Sequence, residues 1–215
     1  MKPTLLFDLD GTIIDPYLGI TNCMVHALTQ MGEAVPPYDV MTATIGPPLR
    51  QAFQQFLPDA NATKIERAVA LYRERYSAGG LFECTVYDGI AQSLAALHAQ
   101  GHRLMLATSR PHVYAKRILG HFALDKYFAA IHGSELDGRN DRKSDLIAHI
   151  LHTHAIAPSA AVMFGDRGVD ISGARANGVD GVGVLWGFGS REELEAVGPI
   201  AIANSPDGLA ATVNG

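Results

Sequence analysis

Apolar residues along this chain follow two alternating rhythms. Short runs with strand character occupy Thr4 to Leu9, Arg103 to Thr108, Phe128 to His132, Ala160 to Gly165 and Gly181 to Leu185, with a weaker run at Pro199 to Ala203. Between them, Gly89 to Gln100, Pro111 to Leu119, Lys143 to His152 and Val169 to Asn177 carry Leu, Ile and Ala at the spacing of a half-buried helix. Glycines at 101, 120 and 178 close several of these segments. Strands alternating with helices predict an α/β fold with a parallel sheet covered on both faces, because a parallel pair needs a crossover long enough to hold a helix. Ligands of such sheets bind beyond the carboxyl ends of the strands. The interval from Asp15 to Phe82 breaks the rhythm. It offers helical patterns at Tyr17 to Met31, Pro48 to Leu57 and Ala62 to Ser77 but no strand, and Asp15-Pro16 and Ala78-Gly79-Gly80 bound it with turn chemistry. An all-helical insert over residues 16–82 is therefore expected within a core domain formed by 1–15 and 83–215.

Composition narrows the partners. A chain of 215 residues that is 47% hydrophobic can bury a substantial core. A net charge of -5, with no Lys/Arg run, argues against a nucleic-acid partner. Cys23 and Cys84 have no metal-ligand spacing and read as reduced thiols, and no stretch of 18 apolar residues marks a membrane span. A cytoplasmic protein, monomer or homodimer, with neither a nucleic-acid nor a membrane partner is the expectation.

The predicted strand ends carry the candidate chemistry. In LLFDLDGTIID, Asp8 and Asp10 stand two positions apart where the first apolar run stops, so on extended chain they point the same way. Carboxylates that close repel, and either a cation sits between them or one holds a proton. Later strand ends add Thr108 and Ser109 in LMLATSRP, Lys143 opening a helix in RKSDLIAHIL, and Asp166 and Asp170 in MFGDRGVDISGA. Four carboxylates, a hydroxyl pair and an ammonium would converge on one sheet edge. Oxygen-only ligands suit Mg²⁺, which takes one or two protein carboxylates and leaves room for phosphate oxygens. Each piece also has a plain alternative: the GDRGVD aspartates could cap a helix, Thr108 could be a strand-end β-branched residue, and Lys143 could be solvated.

Taken in order, these segments resemble the haloacid dehalogenase superfamily, with DLDGT as its first motif, Thr108 its second, Lys143 its third and GDRGVD its fourth. The resemblance implies a Rossmann-like core, a helical cap over the site, and a Mg²⁺-dependent phosphomonoesterase acting on a small phosphorylated metabolite. By the same resemblance Asp8 is the nucleophile and Asp10 the general acid and base. Thr108, Ser109 and Lys143 hold the phosphate, and Asp8, Asp10, Asp166 and Asp170 make up the metal site. Because halide displacement needs neither proton donation nor a metal, Asp10 points to a phosphatase rather than a dehalogenase. IGPPLRQAF, residues 45 to 53, resembles the cap segment of phosphoglycolate phosphatase-like and 5'-nucleotidase-like members, with phosphoglycolate the first expectation; Gly46 would fix a loop and Arg50 meet a second anion on the substrate. The chain departs from the pattern at Ser109, where asparagine is common, at Ser144, where proline is frequent, and at Asp88, where the usual motif has proline.

Several rivals share these features. A sugar phosphomutase would return the phosphate to substrate, and a phosphonate hydrolase needs a cap lysine, for which only Lys64, on an expected exposed helix face, is available. A receiver-like signalling module gathers similar residues but is much shorter. His149, His152 and His154 invite a zinc reading, yet only His149 and His152 could share a helix face and no HExxH motif is present. Trp186 falls after a strand near the expected site and is expected to pack there.

Overall fold

The computed structural model describes residues 3–42, 45–57 and 59–214. Its strands are β1 (Thr4–Phe7), β2 (Ile14–Asp15), β3 (Thr85–Val86), β4 (Arg103–Pro111), β5 (Phe128–Ser134), β6 (Ala161–Gly165), β7 (Asp180–Val184) and β8 (Ala201–Ala203). Its helices are α1 (Tyr17–Met31), α2 (Tyr38–Thr42), α3 (Leu49–Phe56), α4 (Ala62–Ala78), α5 (Ile90–Ala99), α6 (His112–His121), α7 (Lys143–Thr153), α8 (Gly168–Arg175), α9 (Arg191–Ala196) and α10 (Leu209–Asn214). Contacts divide the chain into Met1–Asp15 with Val86–Gly215, and Pro16–Thr85.

The first unit is a Rossmann-like layer structure. Six strands pair in the order β5-β4-β1-β6-β7-β8, and every pairing is parallel. From β1 the chain builds outward through β4 to β5, then crosses back and builds through β6 to β8 on the other side. β1 therefore lies at the point where the strand order reverses, the position at which open α/β sheets leave a crevice beyond their strand ends. Register aligns Phe7 with Leu106 on one neighbour and with Phe164 on the other, so the residues just after these three positions emerge side by side.

Alternation sorts β1 between the two faces. Leu6 points into a layer with Met105, Ala107 and Met163 that α7 covers with Leu146, Ile147 and Ile150. Phe7 points the other way, stacked on Phe164 with ring centroids 4.8 Å apart and edge-on to Phe128 at 6.3 Å. Both faces being buried explains why these strands read as unbroken apolar runs. Truncating the fully buried Phe164 to alanine would cost about 3–5 kcal/mol.

The second unit is helical. α1 ends where Gly32 adopts a left-handed φ of 71° and its N–H returns to the Leu28 and Thr29 carbonyls. Asn61 caps α4 by accepting from the Lys64 N–H. Tyr72 stacks on Tyr76 at 5.4 Å and meets Phe53 edge-on, tying α4 to α3. Lys64 is paired with Glu33 at 2.6 Å and is only 27% exposed, a correction to its expected exposed position. Among the described residues, no helix is long and apolar enough to cross a membrane.

Candidate active site

Asp8 leaves β1 with its N–H bonded to the Phe164 carbonyl at 2.9 Å. The chain then wraps around one acceptor: the N–H groups of Ile13 and Ile14 donate to the Leu9 carbonyl at 2.9 and 3.0 Å. Gly11 makes this turn with φ +80°, and a Cβ there would fall on the Asp166 carboxylate. Glycine is thus required twice over, by backbone conformation and by the approach of the acid.

Three of the expected acids come together. Carboxylate oxygens of Asp8, Asp166 and Asp170 all lie within 4.8 Å of one another, and all three residues are buried. Lys143, the first residue of α7, reaches into the group. Its Nζ donates to Asp8 Oδ1 and to the Ala107 carbonyl, both at 2.8 Å, and pairs with Asp170 Oδ1 at 2.8 Å. Burial alone would lower the Lys143 pKa, but the Asp170 and Asp8 charges outweigh it and hold it above its ordinary value. Asp170 also caps α8, its Oδ2 accepting from the Arg167 N–H at 3.1 Å, so the capping role and the site role coexist.

One cation does not balance three carboxylates. Burial, then the Asp170 and Asp8 charges, raise Asp166 well above the usual carboxylate range, and burial pushes Asp170 up to about 6 against the pull of Lys143. Asp166 Oδ2 accepts from the Phe188 N–H at 2.8 Å, whereas Asp166 Oδ1 is buried without a hydrogen-bond partner. A buried, unsatisfied carboxylate oxygen in an all-oxygen, acid-rich cluster fits a hard divalent cation such as Mg²⁺.

Asp10 stands apart from this trio. Arg110 Nε donates to Asp10 Oδ2 at 3.0 Å, and Nη2 donates to both carboxylate oxygens at 2.8 Å. Burial raises the Asp10 pKa and Arg110 pulls it down, with a net shift upward. Thr108 is buried and its Oγ1 accepts from the Arg110 N–H at 3.2 Å, while the Ser109 carbonyl accepts from Ser134 Oγ at 2.8 Å.

Residues after β7 strap the site. Trp186 Nε1 donates to the Thr12 carbonyl at 2.9 Å, which gives the expected packing of this side chain a specific partner. Gly187 runs so close to the Gly11 carbonyl and Asp166 that a Cβ has no room. In the helical unit, Gly46 has a φ of +106°, and Arg50 pairs through Nε with Glu66 on the rim of a groove of about 520 Å³ between α3 and α4.

Sequence reasoning missed Arg110 and Tyr87. Burial and the charges of Asp15, Asp166 and Asp10 raise the Tyr87 phenol above its ordinary value. Arg110 had a usable signal, an arginine directly after the Thr108-Ser109 pair. His132 and His154 meet through their Nε2 atoms at 2.7 Å, with His149 ring-to-ring against His132, but among the described residues the only group of three or more potential ligands that converges is Asp8, Asp166 and Asp170.

A family model described as haloacid dehalogenase-like hydrolase matches residues 5–184. A 5'-nucleotidase of Pseudomonas aeruginosa is 47% identical over 92% of this chain and 89% of that protein. The tyrosine-protein kinase PtkA of Mycobacterium tuberculosis is 37% identical over 94% of this chain and 68% of the kinase. The crystal structure of a predicted phosphatase from Clostridium acetobutylicum superposes with a TM-score of 0.93 at 38% identity, covering 99% of each chain.

Proposed function

Because the chain belongs to the haloacid dehalogenase-like hydrolase family and is a phosphatase of that family, we propose that it hydrolyses small phosphomonoesters through an aspartyl-phosphate intermediate with Mg²⁺. The observation that carries this reading is the buried Asp8, Asp166 and Asp170 cluster closed by Lys143, with Asp166 Oδ1 left unsatisfied. Asp8, Asp166 and Asp170 are the proposed holders of the ion. Asp10, placed among the ligands from sequence as well, is given the proton-carrying role alone. When bound, Mg²⁺ supplies positive charge that offsets the phosphoryl oxygens and lets an anionic nucleophile approach.

The chain's own residues do the rest. An Asp8 oxygen attacks phosphorus while the bond to the leaving oxygen breaks, and Asp10 protonates that oxygen. Water then attacks phosphorus while its bond to the Asp8 oxygen breaks, Asp10 accepts the water's proton, and inorganic phosphate leaves with the Asp8 carboxylate restored. Lys143 holds Asp8 in place and adds charge beside the phosphoryl group, and Thr108 and Ser109 line the turn that receives it. The helical unit is assigned the role of a cap. Within it Arg50, following the Gly46 turn, reads the remainder of the substrate by exchanging Glu66 for it.

Of the two substrate classes that the cap segment suggested, nucleoside 5'-monophosphates are favoured over phosphoglycolate, because the 47%-identical relative is named for that activity. The test is phosphate release from a panel of nucleoside monophosphates, phosphoglycolate and sugar phosphates, with Mg²⁺ and with excess chelator. Full activity in chelator would refute the metal role, and isomerised sugar phosphate in place of free phosphate would mark a mutase. Phosphorylation of a tyrosine peptide from ATP without phosphate release would move the chain to the kinase's side.

A further inference from the structure

We propose that Arg110 is a positioning residue that reserves Asp10 for proton transfer by holding its carboxylate outside the cation cluster. The inference rests on the proton-carrying role assigned to Asp10 above. Asp10 is two residues from Asp8 in a segment crowded with acids, yet among the described residues the converging trio is Asp8, Asp166 and Asp170. What separates Asp10 is a three-bond fork from one guanidinium, with both side chains nearly buried at 6% and 11% exposure. A planar guanidinium matched to both oxygens of a carboxylate fixes its orientation as well as its place.

Arg110 is itself aimed by the sheet. In the pairing of β4 with β5, Thr108 faces Gly133 and Pro111 faces Ser134, so Ser109 and Arg110 are extra residues on one strand. Such bulges bend a strand and redirect its side chains, and they gather beside active sites. Three contacts hold this one. Ser134 Oγ donates to the Ser109 carbonyl at 2.8 Å, and the Arg110 N–H donates to Thr108 Oγ1 at 3.2 Å. Gly133 leaves the space that the Arg110 carbonyl occupies, where a Cβ would collide. The Thr108 and Ser134 hydroxyls, bonded to the Arg110 N–H and the Ser109 carbonyl, thus lock the bulge, and the bulge points Arg110 at Asp10.

The consequence is a division among like residues. Asp8, Asp166 and Asp170 already converge, and an ion that recruited Asp10 as well would take the proton carrier out of service. A fork from a fixed cation prevents that without adding charge to the cluster.

The test uses Arg110→Ala, Arg110→Lys, Asp10→Asn and the double variant Arg110→Ala/Asp10→Asn in the full chain. The first readout is kcat/KM across phosphomonoesters whose leaving groups run from 4-nitrophenol to simple alcohols. Arg110→Ala should lose about 10²-fold or more on alkyl phosphates, within the range for lost acid catalysis, and much less on 4-nitrophenyl phosphate. Arg110→Lys, which keeps the charge without the fork, should fall between, and if the alanine variant does not fold the lysine variant carries the same comparison. The second readout is Mg²⁺ and Mn²⁺ affinity of the protein alone by calorimetry. Arg110→Ala should bind the ions about tenfold tighter as Asp10 joins the cluster, and the gain should vanish in the double variant. Equal losses on every leaving group, a rise confined to KM, or unchanged ion affinity would overturn the proposal. If Asp10→Asn itself shows no leaving-group dependence, the role given to Asp10 fails instead, and the ion-affinity comparison still judges Arg110.

Discussion

Replacing Lys143 by methionine keeps the length of the side chain and removes its charge, and the structure sets the size of the effect. The Lys143 side chain is 4% exposed and its ammonium has three partners at 2.8 Å: Asp8, Asp170 and the Ala107 carbonyl. Removing one partner of a buried ion pair costs about 3–5 kcal/mol, because the remaining charge stays buried without compensation. An unsatisfied buried carbonyl adds about 1–3 kcal/mol, part of which relaxation recovers. A net loss of about 4 kcal/mol corresponds, for a chain of this size, to a fall in Tm of roughly 8–16 °C. The assay is thermal unfolding at pH 8 and pH 5, with and without Mg²⁺. The gap to the unmodified protein should narrow at pH 5, because carboxylates that have lost their cation relieve the repulsion by taking up protons. Mg²⁺ should restore part of the loss at pH 8, since an added cation compensates the same charges. A variant melting within about 2 °C of the original at pH 8 would refute the argument, and so would a gap that widens in acid.

Five other substitutions probe the same geometry. Asp8→Asn should abolish turnover while the protein stays folded, and Asp10→Asn should slow hydrolysis by about 10²–10⁴ and let phosphorylated Asp8 accumulate, visible by rapid quench and intact mass. Gly187→Ala forces a methyl group against the Gly11 carbonyl and Asp166, so it should cost about 1–3 kcal/mol in denaturant unfolding and weaken Mg²⁺ binding in calorimetry. Asp170 has its pKa raised from 3.8 to about 6, so the metal-free fold holds a proton that the unfolded chain releases; this contribution is complete below the lower value and is lost as pH rises through the upper one, a slope that should flatten in Asp170→Asn. His132 is shifted the other way, from 6.5 to about 4 by burial and by His154, His149 and His112, so its contribution is complete above 6.5 and is lost as pH falls toward 4; His132→Asn should remove that acid-side decline in an unfolding titration.

Local pattern determined much of this protein. The six strands of the main sheet and the helices between them were legible because both faces of a parallel sheet are buried, which makes its strands short continuous apolar runs bounded by turns. β1 shows the limit of that signal: the run to Leu9 stops pairing as a strand at Phe7, where the chain begins to wrap around the Leu9 carbonyl. The segments α2, α9 and α10, of five or six residues, were not legible, since so few residues complete too little of a helical period to stand out. Asp8, Lys143, Asp166 and Asp170 could be picked out as strand-end and helix-start residues. That Lys143 reaches across 135 positions to Asp8 follows only from the reversal of strand order at β1, which places the start of α7 under the end of that strand. That Asp10 and Arg110 pair, 100 positions apart, was decided by tertiary structure. Spacing put Asp10 on the same side as Asp8, as it would on a straight strand, but the turn at Gly11 and the bulge at Ser109 depart from regular strand in both segments. A period read from sequence assumes regular backbone, and a site is built where the backbone departs from it.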